Sequence, residues 1–120
     1  MVKRAKNVMA IVRKGDDGMN TTERAYAMKL EAERIDGTIT TWRFEPLKFR
    51  IGKACFYTPD FEVVTKDGHL EYHEVKGRWM EDARVKIKVA ASQYSDRRFV
   101  AVQWKKRVWV FEEIGAAAKV

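Results

Sequence analysis

Three ionisable residues define the chemistry open to this chain. They are Asp60, which follows Pro59, then Glu74 and Lys76, with residues 61–73 between the two acids. Asp60 opens the run Phe61-Glu62-Val63-Val64-Thr65. The turn sequence Lys66-Asp67-Gly68-His69 comes next, and then Leu70-Glu71-Tyr72-His73-Glu74-Val75-Lys76. Two β-compatible runs joined across Asp-Gly predict a hairpin. Side chains alternate along a strand, so Tyr72, Glu74 and Lys76 share one face, and His73 and Val75 take the other. Pairing of the hairpin brings Asp60 to the Glu74 end, where two carboxylates and an ammonium converge. Metal-assisted phosphodiester hydrolysis needs such a set: hard oxygen ligands for Mg²⁺, and a cation that offsets charge growing on the phosphate. Asp60, Glu74 and the Val75 carbonyl are the candidate ligands. Lys76 is the group placed to touch the attacking water or a phosphate oxygen. Without a metal, the same residues would be a salt-bridge cluster on a solvated hairpin.

The elements that must position this set are legible in outline. Residues 1–19 read as a basic arm containing Lys3, Arg4, Lys6, Arg13 and Lys14, with an apolar run Val8–Val12 that could add an edge strand or dock on a partner. A first helix is predicted from about Thr21 to Asp36, with Gly37 as its stop and Asn20 and Glu23 in capping-box spacing. Its apolar side is read as Tyr26 and Leu30 with Ala25, Met28, Ala32 and Ile35. Glu31 and Glu33 fall mid-helix and are read as solvated. Strand-like runs follow at Thr38–Phe44 and Leu47–Ile51. Ala54–Tyr57 then leads through Pro59 into the hairpin, with Gly52-Lys53 as a two-residue turn. Pro59 suits the start or edge of a strand. After Gly77 the period changes to helical, with Ala83, Ile87, Ala90, Ala91 and Tyr94 on one side and Arg84, Lys86 and Lys88 on the other. Two strands, Arg98–Trp104 and Val108–Ile114, close the chain. The order α-β-β-β-β-α-β-β predicts an α/β domain, residues 20–120, with a mixed central sheet flanked by helices.

Composition narrows the classes. The 120 residues suffice for one domain with a real core, and 46% hydrophobic with 34% charged is ordinary globular usage. No apolar run is long enough to span a bilayer and no charged-then-apolar leader is read at the start, so a cytoplasmic protein is expected. The single cysteine, Cys55, allows no internal disulfide and is read as a small buried hydrophobe. The net charge of +7, from 24 Lys and Arg against 17 Asp and Glu, favours a polyanionic partner. A Gly-rich phosphate loop, a His-Glu-x-x-His zinc motif and a Ser or Cys nucleophile with a partnered histidine are all lacking.

Pro59-Asp60 followed by Glu74-Val75-Lys76-Gly77 resembles the PD-(D/E)XK motif of the restriction-endonuclease-like nucleases. The segment from Glu74 to Tyr94 (EVKGRWMEDARVKIKVAASQY) is similar to a group of small phage-encoded members, some of them Holliday-junction resolvases, and the likeness extends from about Asn20 to Ile114. The resemblance implies a Mg²⁺- or Mn²⁺-dependent DNA endonuclease with a restriction-endonuclease-like core. It further implies products with 5′-phosphate and 3′-hydroxyl ends, and structure-selective cutting of branched, nicked or single-stranded DNA in phage DNA processing or recombination. Host cytoplasm and a possible homodimer go with it. It also implies a further acid from the first helix, for which Glu23 is the match, although the capping box claims the same carboxylate.

Phosphate contact is expected from Arg78, Arg84, Lys86 and Lys88. Trp79 either stacks on a base or caps the core. His69 is read as an exposed turn residue, and His73 as facing away from Glu74. Gln93-Tyr94 matches an element that some superfamily nucleases use, with core packing as its other explanation. Trp42, Trp104 and Trp109 are read as core or sheet-face residues. The alternative function is a catalytically silent nucleic-acid-binding module of the same fold, and a ribonuclease is a third possibility.

Overall fold

The computed structural model describes residues 17–115. Helix α1 (Thr21–Asp36) is followed by strands β1 (Ile39–Phe44), β2 (Phe49–Gly52), β3 (Cys55–Tyr57), β4 (Phe61–Thr65) and β5 (Leu70–Lys76). Helix α2 (Glu81–Gln93) and strands β6 (Arg98–Lys105) and β7 (Val108–Ile114) complete it. Five strands form a mixed sheet in the order β1-β4-β5-β6-β7, and β2 and β3 pair separately. Among the described residues only β5 and β6 run parallel, joined by the crossover through α2; the other pairs are antiparallel. This is the expected mixed sheet with two helices. The chain has five strands between the helices where four were expected, because Thr58-Pro59-Asp60 separates β3 from β4. Proline has no amide to give a ladder, and here it ends one sheet and lets the chain enter another.

Each sheet face has its own core. On one face α1 packs Tyr26, Ala27 and Leu30 over Phe61, Val63, Val75, Val100 and Val102. Met19, within the expected arm, is buried in the same cluster. The rest of the arm, including Val8–Val12, lies outside the described residues. On the other face α2 and the β2–β3 hairpin pack Ile87, Ala90, Ala91, Phe49 and Tyr57 over Tyr72, Phe99 and Ala101. Phe49 is the centre of that layer, with ring centroids at 4.6 Å from Tyr94, 4.9 Å from Tyr72 and 5.4 Å from Phe99.

Three local expectations change. The buried stripe of α1 is Glu23, Tyr26, Ala27, Leu30 and Glu31, a run with 3-4 helical spacing, whereas Ala25, Met28, Ala32 and Ile35 are exposed. Two glutamates on the inward face obscure its hydrophobic pattern. Glu31 is therefore buried rather than solvated, accepting from Trp42 Nε1 at 2.9 Å and from Arg34. Cys55 is exposed, because the hairpin turn lies at Lys53-Ala54, with Ala54 at φ 53°, one residue later than expected.

At the β6–β7 turn both central residues, Lys106 and Arg107, have positive φ, 52° and 65°. Two-residue hairpins favour this conformation, but it suits Asn-Gly and strains longer L side chains. The double substitution Lys106→Asn, Arg107→Gly is expected to stabilise the domain by about 1 kcal/mol, raising Tm by roughly 4–8 °C. An unchanged or lower melting temperature by circular dichroism would contradict this.

Candidate functional site

The register places the acids together. β4 pairs with β5 from Val64↔Leu70 to Phe61↔His73, so Asp60 lies just past the last pair, beside Glu74. At that point β4 has no backbone acceptor left for the next amide of β5. Asp60 replaces it: its Oδ2 accepts the Val75 N–H at 2.7 Å. Glu74 points to the α2 face, where Oε1 accepts the Tyr57 hydroxyl at 2.7 Å and Oε2 lies 3.2 Å from Lys76 Nζ. Asp60 and Glu74 are only 5% and 7% exposed.

Burial of neighbouring carboxylates is costly unless something neutralises them. Desolvation, reinforced by the Glu74 charge, pushes Asp60 up to about 8, against the lowering effect of the Val75 amide. Glu74 is also raised, first by burial, although Tyr57 and Lys76 pull it back. Burial disfavours the Lys76 ammonium, but Glu74, Asp60 and Glu23 together outweigh it and raise its pKa. Tyr57 is held far above the usual phenol range by burial and then by Glu74, so it stays a donor.

Glu23 is buried at the first turn of α1 and completes the capping box: Glu23 N–H donates to Asn20 Oδ1 at 2.8 Å, and Asn20 N–H to Glu23 Oε1 at 2.9 Å. Its charge nevertheless acts on Asp60 and Lys76. Of the two roles expected for it, the capping role is the one met, and the cap fixes the helix turn from which its charge reaches the pair. Among the described residues no three Asp, Glu, His or Cys side chains are grouped closely enough to hold a metal, so Asp60 and Glu74 form a pair with Glu23 at longer range. The pair suits a hard divalent cation, because it offers carboxylate oxygens whose mutual repulsion such a charge relieves.

A cleft of about 400 Å³ opens over Glu74 and Lys76. Glu74 and Lys76 form its floor, Phe56, Tyr57 and Thr58 one wall, and Asp82, Ala83 and Lys86 of α2 the other. It lies at the carboxyl end of β5, where ligands of open α/β sheets commonly bind. Of the expected phosphate contacts, Lys86 reaches the cleft, and Arg78 and Lys88 are exposed outside its lining. Arg84 is engaged elsewhere, 2.7 Å from Glu112 and stacked over Trp79 at 5.5 Å from the ring centroid. Trp79 is half-buried against the α2-face core. His73 sits on the α1 face as expected, its Nδ1 2.6 Å from the Tyr26 hydroxyl, and His69 is exposed at its turn. Gln93 and Tyr94 fasten α2 to the small hairpin by donating to the Ile51 and Arg50 carbonyls at 3.2 and 2.8 Å.

Sequence reasoning missed Tyr57, Asp82 and Phe56. Tyr57 had a signal, since alternation outward from the Lys53-Ala54 turn puts it on the face opposite Phe56. Its contact with Glu74 depends on docking of the hairpin, which no local pattern encodes.

A mixed α/β domain with a buried acid pair and a lysine at the end of a parallel strand pair is the class that fold and site define. A family model described as a protein of unknown function (DUF1064) matches residues 21–112, and the chain belongs to that family. No curated protein and no solved structure matches it. No helix among the described residues is long and apolar enough to cross a membrane.

The Asp60 shift predicts a pH-dependent cost. A folded-state pKa of about 8 against an ordinary 3.8 means that the native chain keeps a proton the unfolded chain has released. Stability therefore falls as pH rises between these values. Asp60→Asn can still accept the Val75 amide and carries no charge. In EDTA its Tm is expected to exceed that of the wild type by an increment that is small near pH 4.5 and grows to several degrees at pH 8. A constant difference across this range would refute the assignment.

Proposed function

We propose that this protein is a divalent-metal-dependent DNA endonuclease with a restriction-endonuclease-like core. The observation that carries the reading is the buried Asp60–Glu74 pair, of which Glu74 lines an open cleft together with Lys76. Buried carboxylates with raised pKa values beside a cleft are costly to the fold and characteristic of function. The motif resemblance and the +7 charge point the same way, towards a phosphodiester.

Asp60, Glu74 and the Val75 carbonyl, with Glu23, would hold Mg²⁺ or Mn²⁺. The Val75 amide already faces Asp60, and the amide and carbonyl of one strand residue point to the same edge. Such a cation, when bound, supplies Lewis acidity at the phosphate and makes water more acidic. The Lys76 ammonium, kept charged by its acidic neighbours, donates to the phosphate oxygens as negative charge develops. Tyr57 fixes the Glu74 carboxylate by its hydroxyl. Water attacks phosphorus in line and the bond to the 3′ oxygen breaks. The 5′-phosphate and 3′-hydroxyl ends form, with one water proton passing to the departing oxygen. Lys86 and the exposed Arg78 and Lys88 serve to position phosphates. Branched, nicked or single-stranded DNA is the proposed substrate class.

The test is a cleavage panel of linear, nicked, single-stranded and four-way-junction DNA with Mg²⁺, Mn²⁺ or EDTA. Asp60→Asn, which keeps an acceptor for the Val75 amide, and Lys76→Ala are expected to lower cleavage by at least about 10²-fold while retaining fold and DNA affinity. Binding without cleavage under every metal, or full activity in either variant, would sink the proposal. Tyr57→Phe is expected to lose about 10–100-fold in activity, with magnesium raising its Tm less than that of the wild type. Unchanged activity would remove Tyr57 from the site.

A further inference from the structure

The small sheet that walls the cleft has two unlike faces. Phe49 and Tyr57 are register partners, and both are buried against the central sheet. The next pair, Arg50 and Phe56, turns to the opposite side, and both residues are exposed. Phe56 is 46% exposed, an apolar ring that adds little to the core. Lys48 Nζ lies 5.4 Å from its centroid. Among the described residues neither Lys48 nor Arg50 forms an ion pair, and the Arg50 Nε donates only to the Gly52 carbonyl at 3.3 Å. An exposed ring beside two cations that form no ion pair among the described residues is thus held at the rim of the cleft whose floor is Glu74 and Lys76.

The hairpin is fixed to that floor at both of its strands. Tyr57 donates to Glu74 from β3, while Tyr94 and Gln93 of the α2 end donate to carbonyls of β2. The place of Phe56 relative to the acid pair is therefore set by the fold rather than by a free loop.

We propose that Phe56 is a stacking platform for an unpaired nucleobase, with Lys48 and Arg50 on the adjoining phosphates. Every base offers a π face, so stacking on an aromatic side chain is sequence-tolerant, and neighbouring cations supply the backbone contacts. Inside a duplex both faces of a base are covered by its neighbours, and a ring reaches one only where the base has left the stack. Since Phe56 lines the same cleft as Glu74 and Lys76, the preferred strand carries an unpaired nucleotide beside the phosphate that is cut. This last step rests on the nuclease reading; the stacking itself does not.

The probe is a DNA strand carrying 2-aminopurine, presented in a single-stranded flap or within a matched duplex, in EDTA. Wild type and Phe56→Trp are expected to quench the flap fluorophore and leave the duplex one unaffected. Phe56→Ala, checked for an intact circular-dichroism melt, is expected to lose the quenching and bind the flap about 5- to 150-fold more weakly. Lys48→Ala is expected to weaken binding while keeping the quenching. Equal quenching and affinity in wild type and Phe56→Ala would overturn the proposal. So would loss of self-association in Phe56→Ala with unchanged quenching, which would make this face a contact between two copies of the chain. Adding Mg²⁺ to the same strands separates the two readings. Phe56-dependent quenching without cleavage leaves the platform standing and removes the nuclease. Cleavage that ignores both the flap and Phe56 does the reverse.

Discussion

The amide of Val75 donates to Asp60 Oδ2 at 2.7 Å, and the cleft is built outward from that bond. It exists because β4 begins two residues too late to offer Val75 a backbone acceptor, and a buried strand amide cannot go unpaired without cost. The side chain that completes the ladder is thereby held below the surface, next to the carboxylate of Glu74. Geometry that satisfies the backbone thus creates an electrostatic problem. Lys76 and the Tyr57 hydroxyl relieve it only in part, since the pKa values of both acids stay raised.

The period of β5 divides the labour. Tyr72, Glu74 and Lys76 turn to the α2 face, and His73 and Val75 to the α1 face. On the α1 side the 2.6 Å contact between His73 and Tyr26 ties the strand of Glu74 to the helix of Glu23. The Asn20 capping box fixes the turn on which Glu23 sits. One short strand thus connects a structural network behind the sheet to a reactive surface in front of it.

What was legible in the sequence is what local rules encode. The hairpin, its register at Asp60 and Glu74, and the bounds of α1 follow from period-2 alternation, an Asp-Gly turn and a Gly stop. Less was legible where tertiary packing overrides the pattern. Glu31 looks solvated by type, but it is buried, with the Trp42 indole and the partly exposed Arg34 donating to it. Cys55 looks buried by its apolar neighbours, but a one-residue displacement of the turn turns it out. Tyr57 and Phe56 could be put on opposite faces by alternation, but which face meets the acids depends on how β2 and β3 settle over the central sheet.

That settling has a consequence for motion. A pair of strands of four and three residues has almost no stability of its own, so β2 and β3 persist through Phe49 in the aromatic layer and through the Tyr57 hydroxyl on Glu74. Lifting the hairpin would break that hydrogen bond, admit water to both carboxylates and detach the wall that carries Phe56 in a single cooperative opening. The hairpin is therefore a small unit that can open locally while the central sheet and α1 stay folded.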